Sequence, residues 1–160
     1  MTFRNLLFFA HGTTVIINSI TERKGVTTGL ITTKGFRDTL EIARGDRPDF
    51  FNLRYKKPQP FVPRYLRAEI PGRIDFLGKE IQPLDLSNLN SILDNFKKYK
   101  VQSIAVCLIH SYANSLHEQK VVDYIKSSWP DVDVVSSHQI NREWREYERS
   151  NTTVLCAYVK

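Results

Sequence analysis

Two uncharged apolar runs constrain this chain more than any other feature of it. Asn5–Ala10 and Ser103–Ile109 (SIAVCLI) carry no charge, and each is followed at once by a histidine, His11 and His110. A continuous apolar run of this kind, closed by polar or turn residues, is the pattern of a strand buried on both faces. Such strands need helices over them, and the sequence between the runs supplies helical patterns. Thr13 or Thr14 can cap a helix through Val15, Ile16, Ser19, Ile20 and Arg23, closed by Gly25. Val26–Thr33 is β-branched and predicts a second strand, and Phe36–Ala43 a short helix with Phe36, Leu40 and Ala43 on one face. Strand, helix, strand, helix is the grammar of an α/β unit with parallel pairing.

The middle of the chain changes character. Gly45 to Pro63 holds four of the seven prolines without sustained periodicity and is expected to be a long loop, a class of segment that often contacts ligands or partners. Tyr65–Ile70 and Arg73–Phe76 alternate around Pro71-Gly72, and a turn at Leu77-Gly78-Lys79 precedes Glu80-Ile81, which predicts a hairpin or small meander. Asp85 or Ser87 is expected to cap a helix through Leu89, Ile92, Leu93 and Phe96, ending in the basic Lys97–Lys100 turn. After the SIAVCLI strand come a helix over 115–128 stopped by Pro130, a short strand at Asp133–Ser136 and a final helix over Trp144–Lys160. Polar residues collect just after the strands: His11-Gly12-Thr13-Thr14, Thr32-Thr33-Lys34, His110-Ser111 and Ser136-Ser137-His138. In open α/β sheets ligands bind at the carboxyl ends of strands, so these four groups mark the expected site.

Composition excludes several classes. The formal net charge is +6, yet the basic residues are spread along the chain, which weighs against a nucleic-acid groove. Cys107 and Cys156 stand far apart in apolar surroundings, with neither metal spacing nor a disulfide framework. The four histidines lack zincin pairing and adjoin no cysteine pair, so no metal site is expected. The N-terminus has no signal-peptide pattern, and no segment approaches the roughly twenty apolar residues of a membrane span. The expected location is the cytoplasm, with no membrane partner.

Three short segments invite a chemical reading. His11-Gly12-Thr13-Thr14 joins a buried strand to a helix start, where Gly permits close approach and free N–H groups can hold an anion; a plain cap and turn would use the same residues. Phe36-Arg37-Asp38 with Glu41 reads as a short helix with paired charges. Arg142–Arg149 (REWREYER) reads, on its own, as a solvated and self-paired helix start, with Arg145 and Arg149 on one face and Arg142 and Glu146 at i, i+4. No Walker-type glycine loop and no Ser/His/Asp order is present.

Taken in order, five blocks resemble the N-terminal region of hydantoinase A/oxoprolinase proteins: HGTTVIINSITERKG, LITTKGFRDTLEIARGDRPDFFNL, VPRYLRAEIPGRID, AVCLIHSYANSLHE and SHQINREWREYERSNTTVLCAYV. The resemblance runs from His11 to Val159. It implies an α/β fold, a mixed sheet with flanking helices and a small β-hairpin, resembling part of an actin/hexokinase-like ATPase domain. It implies ATP-dependent opening of cyclic amides such as hydantoins or oxoproline, an amide oxygen being activated by phosphoryl transfer, with ATP and Mg serving the complete enzyme and no cofactor expected on this chain alone. The family's His-Gly-Thr-Thr block falls on His11, Gly12, Thr13 and Thr14, followed by Asn18, Glu22 and Arg23. Its Gly-Phe-Arg-Asp block falls on Gly35, Phe36, Arg37 and Asp38, and its Arg-Glu-Tyr-Glu-Arg block on Arg145 to Arg149. By this resemblance His11, Gly12, Thr13, Thr14 and Asn18 are the candidates for substrate or phosphate, and Arg23, Arg37, Asp38, Glu148 and Arg149 for organising the site.

The departures from the family are specific. Its glycine-rich phosphate hairpin has no counterpart in the ten residues before His11, and its second phosphate loop and adenosine site have none before Lys160. Ile16-Ile17 replaces a small residue plus Thr, and Cys156 a common Asn. Residues 1–160 are therefore expected to form one domain, truncated at both ends relative to the family, that works with the remaining ATPase portion and a hydantoinase B-like subunit. A non-catalytic binding or assembly module of the same fold, and a fragment of a related ATP-dependent ketone carboxylase, are the alternatives.

Overall fold

The computed structural model describes residues 14–45 and 51–160. Its centre is a four-stranded, wholly parallel sheet of order β2-β1-β5-β6, made of β1 (Thr28–Thr33), β2 (Arg67–Ile70), β5 (Ser103–Cys107) and β6 (Asp133–Ser136). The two inner strands are β1 and β5, and every residue of both is buried. That is why these two stretches lack alternation: each has helices on both faces. A separate antiparallel pair joins β3 (Arg73–Ile74) to β4 (Glu80–Gln82).

Register assigns the helices to faces. Gly29 pairs with Ile104 across β1 and β5, and a side chain at Gly29 would collide with Phe96 of α3 (Leu89–Lys98). Cys107 lies three residues from Ile104, so it points to the opposite face, where Ser150 of α6 (Glu146–Tyr158) donates to its sulfur at 3.1 Å. The sheet is thus sandwiched between α3 and α6. The long helix α4 (Leu116–Ser128) packs along β5 and β6, burying Val121, Val122 and Ile125. Among the described residues no helix is long and apolar enough to cross a membrane.

Several sequence expectations shift. The first apolar run lies outside the described residues. The first helix, α1 (Val15–Thr21), is capped at Thr14 without a side-chain bond, and Arg23, just past its C-cap Glu22, takes with a φ of 54° the place that Gly25 was expected to take. The second, α2 (Thr39–Ile42), is only one turn, with Phe36–Asp38 forming the turn before it. Arg67–Ile70 is not the first arm of a local hairpin; it pairs parallel with β1, and the antiparallel partner of Arg73–Ile74 is Glu80–Gln82. Asn88, not Asp85 or Ser87, caps α3, while Asp85 closes a side-chain turn onto the Ser87 amide. The one-turn helix α5 (Ser137–Ile140) has no sequence counterpart, and α6 starts at Glu146, two residues later than expected.

Candidate functional site

Parallel strands end on one edge, and here that edge gathers buried charge. Glu118 lies in the first turn of α4, three, four and seven residues before Val121, Val122 and Ile125, so helical geometry turns it into the core with them. A carboxylate there must be fully bonded. Its Oε1 accepts from the Leu108 amide at 2.8 Å and the Ser137 hydroxyl at 2.6 Å; its Oε2 accepts from the His138 amide at 3.0 Å and pairs with His138 Nδ1 at 2.8 Å. The pairing puts the imidazole proton on Nδ1. One carboxylate thereby ties the end of β5, the start of α4 and the junction of β6 with α5.

Arg149 reaches the same edge from the other face. It is 0% exposed, donates through Nη2 to the Leu108 carbonyl and through Nη1 to the Glu143 carbonyl, both at 2.8 Å, and lies 5.6 Å from the Tyr112 ring centre. Leu108 is therefore clamped at both ends of one residue, its N–H by an anion and its C=O by a cation. Thr33 accepts from the next amide, Ile109, at 3.1 Å. Two buried atoms beside this clamp, Arg149 Nε and Glu146 Oε1, have no hydrogen-bond partner among the described residues.

His110 follows directly, with φ at 57° and Nδ1 3.3 Å from the Tyr112 hydroxyl. Burial pushes its pKa below the ordinary imidazole value; Arg73 and Arg149 add to this, against Glu146 and Asp75. The hairpin of β3 and β4 that carries Arg73 and Asp75 is held at the same end. His117 Nε2 meets Glu80 Oε2 at 2.6 Å, and Asn114 donates to the Gly78 carbonyl at 2.8 Å. Burial raises the Cys107 thiol pKa, which makes it a packing residue.

The residues singled out from sequence fall in different places. His11, Gly12 and Thr13 lie outside the described residues. Thr14 and Asn18 are exposed on α1. Arg23 donates to the Gln59 carbonyl at 2.7 Å, stacks on Phe61, and lines a cleft of about 300 Å³ shared with Tyr55, Tyr147 and Asn151. Arg37 and Asp38 sit after β1. Asp38 takes two bonds from Arg64, which, with Arg37 and Arg67, hold its carboxyl below the usual range. Glu148 pairs with Arg44 at 2.6 Å; burial works against its charge, and its own amide together with Arg44 outweighs that and lowers its pKa. Only Arg149 enters the buried edge. The REWREYER segment is thus only in part a solvated helix start: Arg142 to Arg145 are exposed ahead of α6, and Arg149 is inside the molecule.

Glu118 was not singled out from sequence, although an acid on the apolar stripe of a helix is a readable signal. The loop after β1 resembles an anion cradle, but its anion is internal. Glu69 Oε1 accepts from the Gly35 amide at 2.7 Å and the Arg37 amide at 3.3 Å. These donors are committed to Glu69, so this loop does not fit a nucleotide phosphate.

Residues 3–129 match the family model of the hydantoinase/oxoprolinase N-terminal region. A protein of unassigned function from Methanocaldococcus jannaschii is 44% identical over 131 residues, 82% of this chain and 19% of that one. The caprolactamase subunit alpha of Pseudomonas jessenii is 38% identical over 151 residues, 93% of this chain and 22% of its own length. The crystal structure of the ATP-dependent caprolactamase from that organism superposes with a TM-score of 0.86 at 39% identity, over 92% of this chain and 22% of the other. The nucleotide-free structure of acetone carboxylase gives 0.80 at 25% identity, over 91% and 22%. The chain thus spans about a fifth of the length of these relatives.

Proposed function

Since this chain belongs to the hydantoinase/oxoprolinase N-terminal-region family, we propose that it is a single domain of an ATP-dependent cyclic-amide hydrolase and works only with further polypeptide. The observation that carries this reading is the polar edge formed by β1, β5 and β6, inside a fold that superposes over nine-tenths of its length on an ATP-dependent caprolactamase. In this reading Thr14 and Asn18, with His11, Gly12 and Thr13, face substrate or phosphate. Arg23, Arg37, Asp38, Glu148 and Arg149 hold the surrounding elements in place. ATP with Mg supplies the driving phosphoryl group and is gripped by segments other than the loop after β1, whose donors serve Glu69. The partners are the remaining ATPase portion and a hydantoinase B-like subunit, the substrate is a small cyclic amide, and the location is the cytoplasm.

The test is reconstitution. The chain, the rest of an oxoprolinase-type polypeptide and a hydantoinase B-like subunit are mixed, and phosphate release is followed with a lactam, a hydantoin and 5-oxoproline. Turnover only in the complete mixture, and only with a cyclic amide, is the expected result. Lactam binding by calorimetry with no phosphate release from any mixture would leave an assembly module instead. The superposition on acetone carboxylase favours one second reading, a ketone carboxylase subunit. Phosphate release that requires a ketone and bicarbonate would select it.

A further inference from the structure

Among the described residues four that are not glycine have positive φ: Arg23, Ala43, Lys100 and His110. The first three each stand at the C-terminal end of a helix, Ala43 at the cap of α2 and Arg23 and Lys100 one residue past the caps of α1 and α3. His110 terminates no helix. It stands in the turn after the inner strand β5, where glycine or asparagine would sit with less strain, and its carbonyl accepts from the Ala113 and Asn114 amides. The backbone alone does not ask for histidine at this position, and the imidazole placed there stands 3.3 Å from the Tyr112 hydroxyl. The turn is also held rigidly: Glu118 and Arg149 fix the two ends of Leu108, and Thr33 fixes Ile109.

We propose that His110 is the proton-transfer residue of this domain, aimed by the Glu118–Leu108–Arg149 clamp and by Tyr112 toward a substrate at the carboxyl edge of the sheet. The proposal rests on the amide-hydrolase reading given above. In the tautomer that donates its Nδ1–H to the Tyr112 hydroxyl, 3.3 Å away, the imidazole keeps the Nε2 lone pair free to act as a base. Nε2 takes a proton from the attacking water as its oxygen bonds to the amide carbon. The resulting imidazolium returns that proton to the ring nitrogen when the C–N bond breaks. On an amide whose oxygen carries the phosphoryl group, the water oxygen goes to carbon and both of its protons to nitrogen, leaving an amine and an acyl phosphate; a second water releases inorganic phosphate, and the imidazole ends neutral. The charged and titratable groups around it are Glu146 and Arg149 from α6, Arg73 and Asp75 from the hairpin, and the Tyr112 phenol. Glu118, Arg149 and Tyr112 are positioning residues in this scheme.

Two measurements on the full chain and two on the assembled enzyme decide it. Diethyl pyrocarbonate is expected to modify His110 faster than the buried His117 and His138. His110→Gly, which relieves the left-handed strain, is expected to melt at the wild-type temperature or up to about 2–4 °C above it. Slower modification of His110 than of both other histidines, or a melting point lowered by several degrees in both His110→Gly and His110→Asn, would mark a structural histidine and overturn the proposal. In the assembled enzyme His110→Gly should lower kcat by about 100-fold or more, with partial recovery on adding free imidazole. The acid limb of the wild-type rate profile, lying below the ordinary imidazole pKa, should vanish in His110→Asn. Unchanged kcat in both variants sinks the proposal while leaving the hydrolase reading intact. An assembled wild-type enzyme that opens no amide sinks that reading, and the measurements on the chain alone then still decide whether His110 is a reactive or a structural group.

Discussion

Glu118 and Arg149 bring opposite charges into one end of the sheet without pairing with each other; Leu108 stands between them and is bonded by both. This makes each charge irreplaceable in a specific way. In Glu118→Gln the carboxamide must turn its NH2 toward one side, and each side holds a backbone N–H, of Leu108 or of His138, that cannot become an acceptor. The variant should lose roughly 2–4 kcal/mol in urea denaturation, close to the loss in Glu118→Ala; a loss below 1 kcal/mol would show that the carboxylate is not the fastener described. His110 adds a pH dependence of known sign. Its folded pKa lies below its unfolded one, so the unfolded chain binds the extra proton first. Stability is full above the ordinary value near 6.5 and is lost as pH falls through the lower folded value; the difference in melting temperature between His110→Asn and wild type should widen over that interval and stay constant above about pH 7.5. Arg149 was legible as a site residue only through resemblance, because its local charge pattern describes a solvated helix. Nothing in REWREYER says which arginine the tertiary fold takes inside.

Elements were legible in proportion to how locally their burial is determined. The runs at Thr28–Thr33 and Ser103–Cys107 declare themselves, because a strand covered on both faces is mostly apolar or β-branched. Arg67–Ile70 misleads because alternation around Pro71-Gly72 looks the same whether the partner is the next segment or a strand far earlier in the chain. Likewise Ser137–Ile140 is a single turn, too short to show a period. The least visible constraint lies at Gly29. As the lone glycine of an inner strand it reads as a weak point, yet its missing side chain is what admits Phe96, since an added Cβ would stand 2.7 Å from the ring. Gly29→Ala should therefore destabilise by about 1–3 kcal/mol, measured as the shift in urea midpoint. Recovery in Gly29→Ala/Phe96→Leu is the outcome that ties the loss to that contact; an additive double variant would place the loss elsewhere.

At the scale of the molecule, alternation of strands and helices gives both the parallel sheet and the edge where polar residues meet. It does not tell which polar residues end inside that edge and which stay on exposed elements. The contrast between α1 and β5 gives this a measurable form. Helix α1 has seven residues, buries none of them, and leaves Ile16 and Ile17 at 56% and 64% exposed. An isolated helix of that length is marginal in water, since nucleation costs more than so few bonds return. In the chain alone, the amides of α1 should exchange with solvent within seconds, while those of β5 should exchange only through global unfolding. The proposed function then fixes what assembly does: if Thr14 and Asn18 face substrate or phosphate within a larger enzyme, α1 must be held by what it joins. Adding the complementary polypeptide should slow α1 exchange at least tenfold and leave β5 unchanged. Equal protection of α1 and β5 in the chain alone would mean that α1 is already anchored. An α1 that stays fast in a complex that turns over ATP would remove Thr14 and Asn18 from the site.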